Sequence, residues 1–142
     1  MENSILLDNY LDLVRTIHGQ VVGGKMNPAK PMVLYSILIL IEDGKNHNNH
    51  ALITDIVEQY VKLQNKYSVP TPPQYPIYFM ENESYYHLKW KNGRIKTHTP
   101  SAKLIRENVE YAYLDNALWD LLQDKETRDL FRQTIENYYL KI

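Results

Sequence analysis

Apolar positions recur at helical spacing over most of the chain. Between Ser4 and Ile17 they fall at 6, 7, 10, 11, 13, 14 and 17, which predicts an amphipathic helix with Ser4 as its cap. Gly19 to Ala29 carries three glycines and Pro28 and reads as a loop. Met32 to Glu42 is apolar on nearly every side, so it predicts a central core helix with Pro31 in its first turn and a stop near Gly44. A second amphipathic pattern runs from Leu52 to Tyr67, at 52, 53, 56, 57, 60, 61, 63 and 67. Four prolines between Val69 and Pro76 then predict an extended segment.

The pattern changes period after that. Tyr85 to Trp90 and Arg94 to His98 flank Lys91-Asn92-Gly93, and an Asn-Gly pair between alternating segments predicts a β-hairpin. Tyr86, Leu88 and Trp90 form its inward set. Ser101 caps a short helix, Asp115 caps another ending near Leu122, and Lys125 to Leu140 closes the chain as a helix. The expected fold is one α+β domain over residues 1–142, mostly helical, with about five or six helices and one small hairpin. Two helices followed by a basic hairpin are winged-helix-like, by analogy.

Composition narrows the functional classes. With 142 residues and no cysteine, the chain has room for little beyond one domain and cannot use disulfides, thiolate catalysis or cysteine zinc sites. The longest apolar run, Met32 to Ile41, is too short to span a bilayer. Asp8, Asp12 and Arg15 break any signal-peptide core. A soluble, cytoplasmic protein is expected, with no membrane partner.

Net charge is −1, but the charges are sorted along the chain. Leu13 to Ile41 holds Arg15, Lys25 and Lys30 and no acid. Ser84 to Arg106 holds Lys89, Lys91, Arg94, Lys96, Lys103 and Arg106, again with no acid. Eight acids against four bases follow from Glu107 onward. Such sorting can present a basic face to a polyanion despite overall neutrality. In Tyr85–His98, rings alternate with cations, as suits a backbone contacted at phosphates and at sugar or base faces. The same pattern also fits an ordinary half-buried hairpin with a charged outer face.

Catalytic signals are weak. Asn46-His47-Asn48-Asn49-His50 has two histidines three apart but no third ligand, and reads as a polar connector whose asparagines cap the next helix. No nucleophile elbow, phosphate-binding glycine loop or HExxH sequence is present. The acid pair Glu81/Glu83 shows no sequence sign of burial. Neither an enzyme, nor a metal, nor a cofactor is expected. Tyr75-Pro76-Ile77-Tyr78-Phe79 sets rigid apolar groups after the proline-rich segment. Tyr75 and Pro76 can wall a shallow apolar dimple, whereas Ile77 and Phe79 also suit the core.

Three segments together resemble a known family. They are Gly23-Gly24…Pro28-Ala29-Lys30-Pro31-Met32-Val33-Leu34, then Tyr75-Pro76-Ile77-Tyr78-Phe79…Tyr86-His87-Leu88, then Asn108-Val109…Ala112-Tyr113-Leu114-Asp115…Leu118…Leu121-Leu122…Asp124…Arg128. In order and spacing they are similar to the sulfur-binding domain of McrA-like type IV restriction endonucleases. The resemblance implies recognition of phosphorothioated double-stranded DNA, with the backbone sulfur in an apolar dimple. Tyr75 and Pro76 match its ring and proline walls, and Phe79 stands as the third pocket candidate where the family's wall is usually small. Lys30 matches a basic residue near the phosphates, and Ala29 replaces a histidine that several members carry. Lys25, Lys89, Lys91, Arg94, Lys96, Lys103 and Arg106 are the remaining candidates for the DNA backbone. The family's third segment implies closing helices, and a His-Asn-His nuclease domain commonly follows the module. Two other readings stay open: a winged-helix nucleic-acid binder without sulfur selectivity, and a protein-interaction module.

Overall fold

The computed structural model describes residues 2–19, 21–22 and 24–140, with the side chains of Glu2, Val22 and Lys25 outside that description. Seven α-helices occur among the described residues, in the order α1 (Glu2–Arg15), β1 (Val21–Val22), β2 (Lys25–Met26), α2 (Ala29–Glu42), α3 (Ile53–Tyr67), α4 (Gln74–Phe79), β3 (Tyr86–Trp90), α5 (Ala102–Asn108), β4 (Val109–Leu114), α6 (Asn116–Leu121) and α7 (Lys125–Tyr139). The class is the expected α+β, mostly helical one, with one or two helices more than the apolar pattern resolves.

Helix α2 forms the centre. Every residue from Pro31 to Leu38 is buried, as are Leu40 and Ile41, because the helix is packed on all sides. Helix α7 holds it through Tyr35, whose hydroxyl donates to Glu136 Oε2 at 2.7 Å while the Arg132 guanidinium lies 5.2 Å from its ring centroid. Arg128 pairs with Glu42 at 2.7 Å on the same seam. Helix α1 is tied to α7 by Tyr139, which accepts from Ile17 N and donates to Val14 O. Ser4 lies inside α1 and is not its cap. Ser101 and Asp124 do cap α5 and α7, accepting from Leu104 N and Thr127 N; Asp115 precedes α6 without a side-chain cap bond.

Two sequence expectations fail for identifiable reasons. The chain bends at Asn92-Gly93, with Gly93 at φ 85°, but Arg94 to His98 does not become a strand. Tyr78 takes its backbone instead: the Tyr78 hydroxyl donates to Ile95 O at 2.8 Å and accepts from Thr97 N at 3.0 Å. The antiparallel partner of β3 is β4, pairing Tyr86 with Leu114, Leu88 with Ala112 and Trp90 with Val109 across a bulge. Val109 to Leu114 is therefore strand, not part of the closing helices. Tyr86, Leu88 and Trp90 face inward as expected.

The proline-rich segment is also more helical than expected. Pro73 precedes α4 and Pro76 stands third in it, where the missing N–H has no intrahelical partner to lose. The same arrangement opens α2, with Pro28 before the helix and Pro31 third. Pro28-Ala29-Lys30-Pro31 and Pro73-Gln74-Tyr75-Pro76 are thus two equivalent helix starts.

Candidate nucleic-acid interface

Those two helix starts meet at a cavity of about 350 Å³. Ala29 and Lys30 from α2 and Tyr75, Pro76 and Phe79 from α4 line it, together with His18, Asn27 and Thr71. Pro76 is buried, while Tyr75 and Phe79 are half-buried, so their apolar surfaces remain reachable at the cavity wall. Phe79 is fixed edge-on against Tyr78, with ring centroids 5.0 Å apart. The first turn of α2 carries no acid, and its Ala29 N–H is taken by Asn27 Oδ1 at 3.0 Å.

Lys30 does not project freely. Its ammonium donates to Glu83 Oε2 at 2.8 Å and to the carbonyl of His18. Two of its three donors are used, and one remains for a ligand. Glu83 is buried, contrary to the sequence expectation, because it sits under the Lys30 ammonium with the His18 imidazole 3.5 Å away. Glu81 is likewise enclosed: it accepts from Leu88 N, Trp90 Nε1 and Arg94 Nε. Buried carboxylates persist where donors surround them, and a linear sequence does not display those donors.

Arg94 is similarly committed. Its Nε donates to Glu81 at 3.1 Å and its guanidinium stacks 4.8 Å from the Tyr78 ring centroid. Lys89, Lys91, Lys96, Lys103 and Arg106 are exposed, and none of them enters an ion pair among the described residues. They are available to phosphates but do not line the α2–α4 cavity. Arg106 lines a second, smaller cavity of about 270 Å³ with Ile53, Val57, Pro73, Gln74 and Ile77. By helical geometry Gln74 and Ile77 face away from Tyr75, Pro76 and Phe79, so the two cavities flank α4. The side chain of Lys25 lies outside the described residues.

Two other histidines lie on the β3–β4 ribbon. On the outer face of the β3–β4 ribbon, His50 stacks on Tyr111 with centroids 3.8 Å apart, and His87 lies 5.0 Å from Tyr113. His87 Nε2 is 2.6 Å from Asp115 Oδ1, and Tyr10 donates to Asp115 Oδ2 at 2.9 Å. Burial, followed by the Asp115 hydrogen bond and charge, pushes the Tyr10 hydroxyl up to about 12. No group of three metal-ligating side chains occurs among the described residues. The asparagines of the Asn46–His50 segment do not cap α3. Asn46 accepts from His50 N, and Asn49 both donates to Leu114 O and accepts from Leu114 N, closing the β4 edge. His18, Asn27, Thr71 and Glu83 are the site residues the sequence did not disclose.

No family model and no curated protein matches the sequence. Solved structures do match. The sulfur-binding domain of SprMcrA, complexed with phosphorothioated DNA, has a TM-score of 0.74 at 18% identity, over 95% of this chain and 86% of that one. The sulfur-binding and SRA domains of ScoMcrA, complexed with phosphorothioated DNA, give 0.73 at 12% identity, over 92% of this chain and 42% of that one. No helix among the described residues is long and apolar enough to cross a membrane. The chain has the fold of these sulfur-binding domains.

Proposed function

We propose that this chain is a recognition module for phosphorothioated double-stranded DNA, serving restriction of modified DNA through an associated His-Asn-His nuclease domain and having no catalytic centre of its own. The observation that carries this reading is that Lys30, Tyr75, Pro76 and Phe79, distant in sequence, line one cavity at two Pro-x-x-Pro helix starts. That cavity belongs to a fold whose solved relatives hold phosphorothioated DNA.

The chemistry follows from the lining. Sulfur is larger, more polarizable and less strongly hydrated than the phosphate oxygen it replaces. Against Tyr75, Pro76 and Phe79 it loses little hydration and gains dispersion contact. An oxygen placed there would lose water without a replacement donor, at a cost on the order of 1–3 kcal/mol. One to two decades of selectivity result, by rejection of oxygen. The remaining Lys30 donor attracts the phosphate's charge. Lys89, Lys91, Arg94, Lys96, Lys103 and Arg106, with Lys25, contribute sequence-independent affinity at neighbouring phosphates.

One observation favours a second reading. The His50–Tyr111 and His87–Tyr113 pairs form an outward aromatic face that would suit a sulfur-independent contact. Amide chemical-shift mapping with a duplex carrying one backbone sulfur separates the two. Shifts centred on Asn27–Lys30 and Thr71–Phe79 are expected. Shifts confined to His87–Lys89 and Tyr111–Tyr113 would overturn the cavity reading in favour of the ribbon face.

A further inference from the structure

Thr71 is held in the cavity wall by both of its ends. Its carbonyl accepts from the Tyr60 hydroxyl at 2.8 Å and from Gln64 Nε2 at 3.2 Å, both on α3. Its hydroxyl oxygen accepts from Asn27 Nδ2 at 3.0 Å. The orientation of Asn27 is itself settled, because Asn27 Oδ1 accepts from Ala29 N at 3.0 Å at the start of α2. Nδ2 therefore faces Thr71, and Thr71 Oγ1 is the acceptor of that bond.

A hydroxyl has one proton to give. With Asn27 donating to its oxygen, the Thr71 proton must point elsewhere, and no described residue accepts it. Thr71 lines the α2–α4 cavity beside Tyr75, Pro76 and Phe79. The fixed position of Thr71, between α3 and the α2 start, leaves its hydroxyl proton free for a ligand in the wall that Tyr75, Pro76 and Phe79 share.

Resting on the sulfur-pocket reading, we infer that Thr71 donates a hydrogen bond to the remaining nonbridging oxygen of the phosphorothioate group. The apolar wall takes the sulfur and Thr71 takes the oxygen of the same phosphorus. Thr71 is thereby a specificity-determining residue: the site requires one sulfur and one oxygen, rather than any softened phosphate.

The test is a binding cycle that combines a protein change with a ligand change. Wild type, Thr71→Val and Thr71→Ser are titrated with three duplexes of one sequence: unmodified, carrying one sulfur at one phosphate, and carrying two sulfurs at that phosphate (a phosphorodithioate). Sulfur accepts hydrogen bonds weakly, so the second sulfur removes the acceptor just as valine removes the donor. Wild type is expected to bind the single-sulfur duplex about tenfold more tightly than the two-sulfur one, as befits a hydrogen bond to a charged group. Thr71→Val should lose about tenfold on the single-sulfur duplex and bind the two sulfur duplexes alike, while Thr71→Ser stays near wild type. Any loosening caused by leaving Asn27 Nδ2 without an acceptor weakens both sulfur duplexes equally and cancels in the cycle. An equal loss on both, or no loss on either, overturns the Thr71 contact while leaving the sulfur reading intact. A wild type that does not separate single-sulfur from unmodified duplex overturns the sulfur reading, and this inference with it.

Discussion

Lys30 and Glu83 form an ion pair of 2.8 Å in which the carboxylate side chain is 4% exposed and the lysine side chain 12%. The pair joins the start of α2 to the turn before β3, and it fixes an ammonium at the cavity lined by Tyr75 and Pro76. A lysine whose sequence context marks it as a phosphate contact is thus also a structural anchor.

Removing one partner should therefore cost stability as well as binding. Lys30→Ala is expected to lower the unfolding free energy by about 3 kcal/mol, because it strands a buried carboxylate. Combining it with Glu83→Gln should recover most of that loss, since the neutral amide needs no counter-charge. Urea denaturation of the two variants checks this. An unchanged Lys30→Ala midpoint would mean that the pair contributes nothing. The DNA-binding effect of Lys30 is properly read in the Glu83→Gln background.

Arg94 and its lysine neighbours should separate in the same way. Arg94→Ala removes the Glu81 ion pair and the contact with Tyr78, and is expected to cost about 1 kcal/mol of stability besides weakening DNA binding. Lys91→Ala and Lys96→Ala should leave stability unchanged and lower affinity for modified and unmodified duplexes alike. Each phosphate-binding cation removed should reduce the steepness of the log–log salt dependence by about 0.9. Salt titrations of the variants provide the measurement, and a binding constant flat in salt would contradict a role at phosphates.

How much of this was legible in the sequence differs by element. Helix α2 is readable because an apolar helix without a polar face has only the core to occupy, whereas the family resemblance points to Tyr75, Pro76 and Lys30, which line one cavity. The β3 partner is not readable. The Asn92-Gly93 pair is a genuine local signal, but the Tyr78 hydroxyl captures Ile95 and Thr97. The run Val109 to Leu114 forms β4, whereas the family resemblance assigns it to closing helices. Glu83 and Thr71 are invisible for another reason: their roles depend on Lys30 and Asn27, whose proximity exists only after folding.

Alkaline stability offers an independent check on the core. Burial raises the hydroxyl pKa values of Tyr60, Tyr85 and Tyr86, and that of Tyr10 to about 12 with help from Asp115. A raised folded-state value means the unfolded chain loses its phenolic protons first. The associated stability is complete below the unfolded value of about 10 and is lost as pH climbs from there through the folded values. Denaturation midpoints are expected to hold to about pH 9 and to fall steeply above pH 10. Tyr10→Phe should flatten part of that fall, and a midpoint that is level into strong alkali would contradict the burial of these rings.

The pocket residues should govern selectivity rather than affinity. Tyr75→Ala and Pro76→Ala are expected to bring the ratio of binding constants for sulfur-bearing and unmodified duplex close to one, while weak binding to unmodified duplex stays nearly intact. Circular dichroism establishes that each variant remains folded. Folded variants that keep the wild-type ratio would make both residues core filler.

The most direct measurement compares two duplexes of identical sequence, differing by a single backbone sulfur, titrated against the wild-type chain at one physiological salt concentration. The cavity reading gives about 10- to 100-fold tighter binding to the sulfur duplex, the equivalent of the desolvation cost that an oxygen would meet against Tyr75, Pro76 and Phe79. Equal affinity for the two duplexes would contradict it.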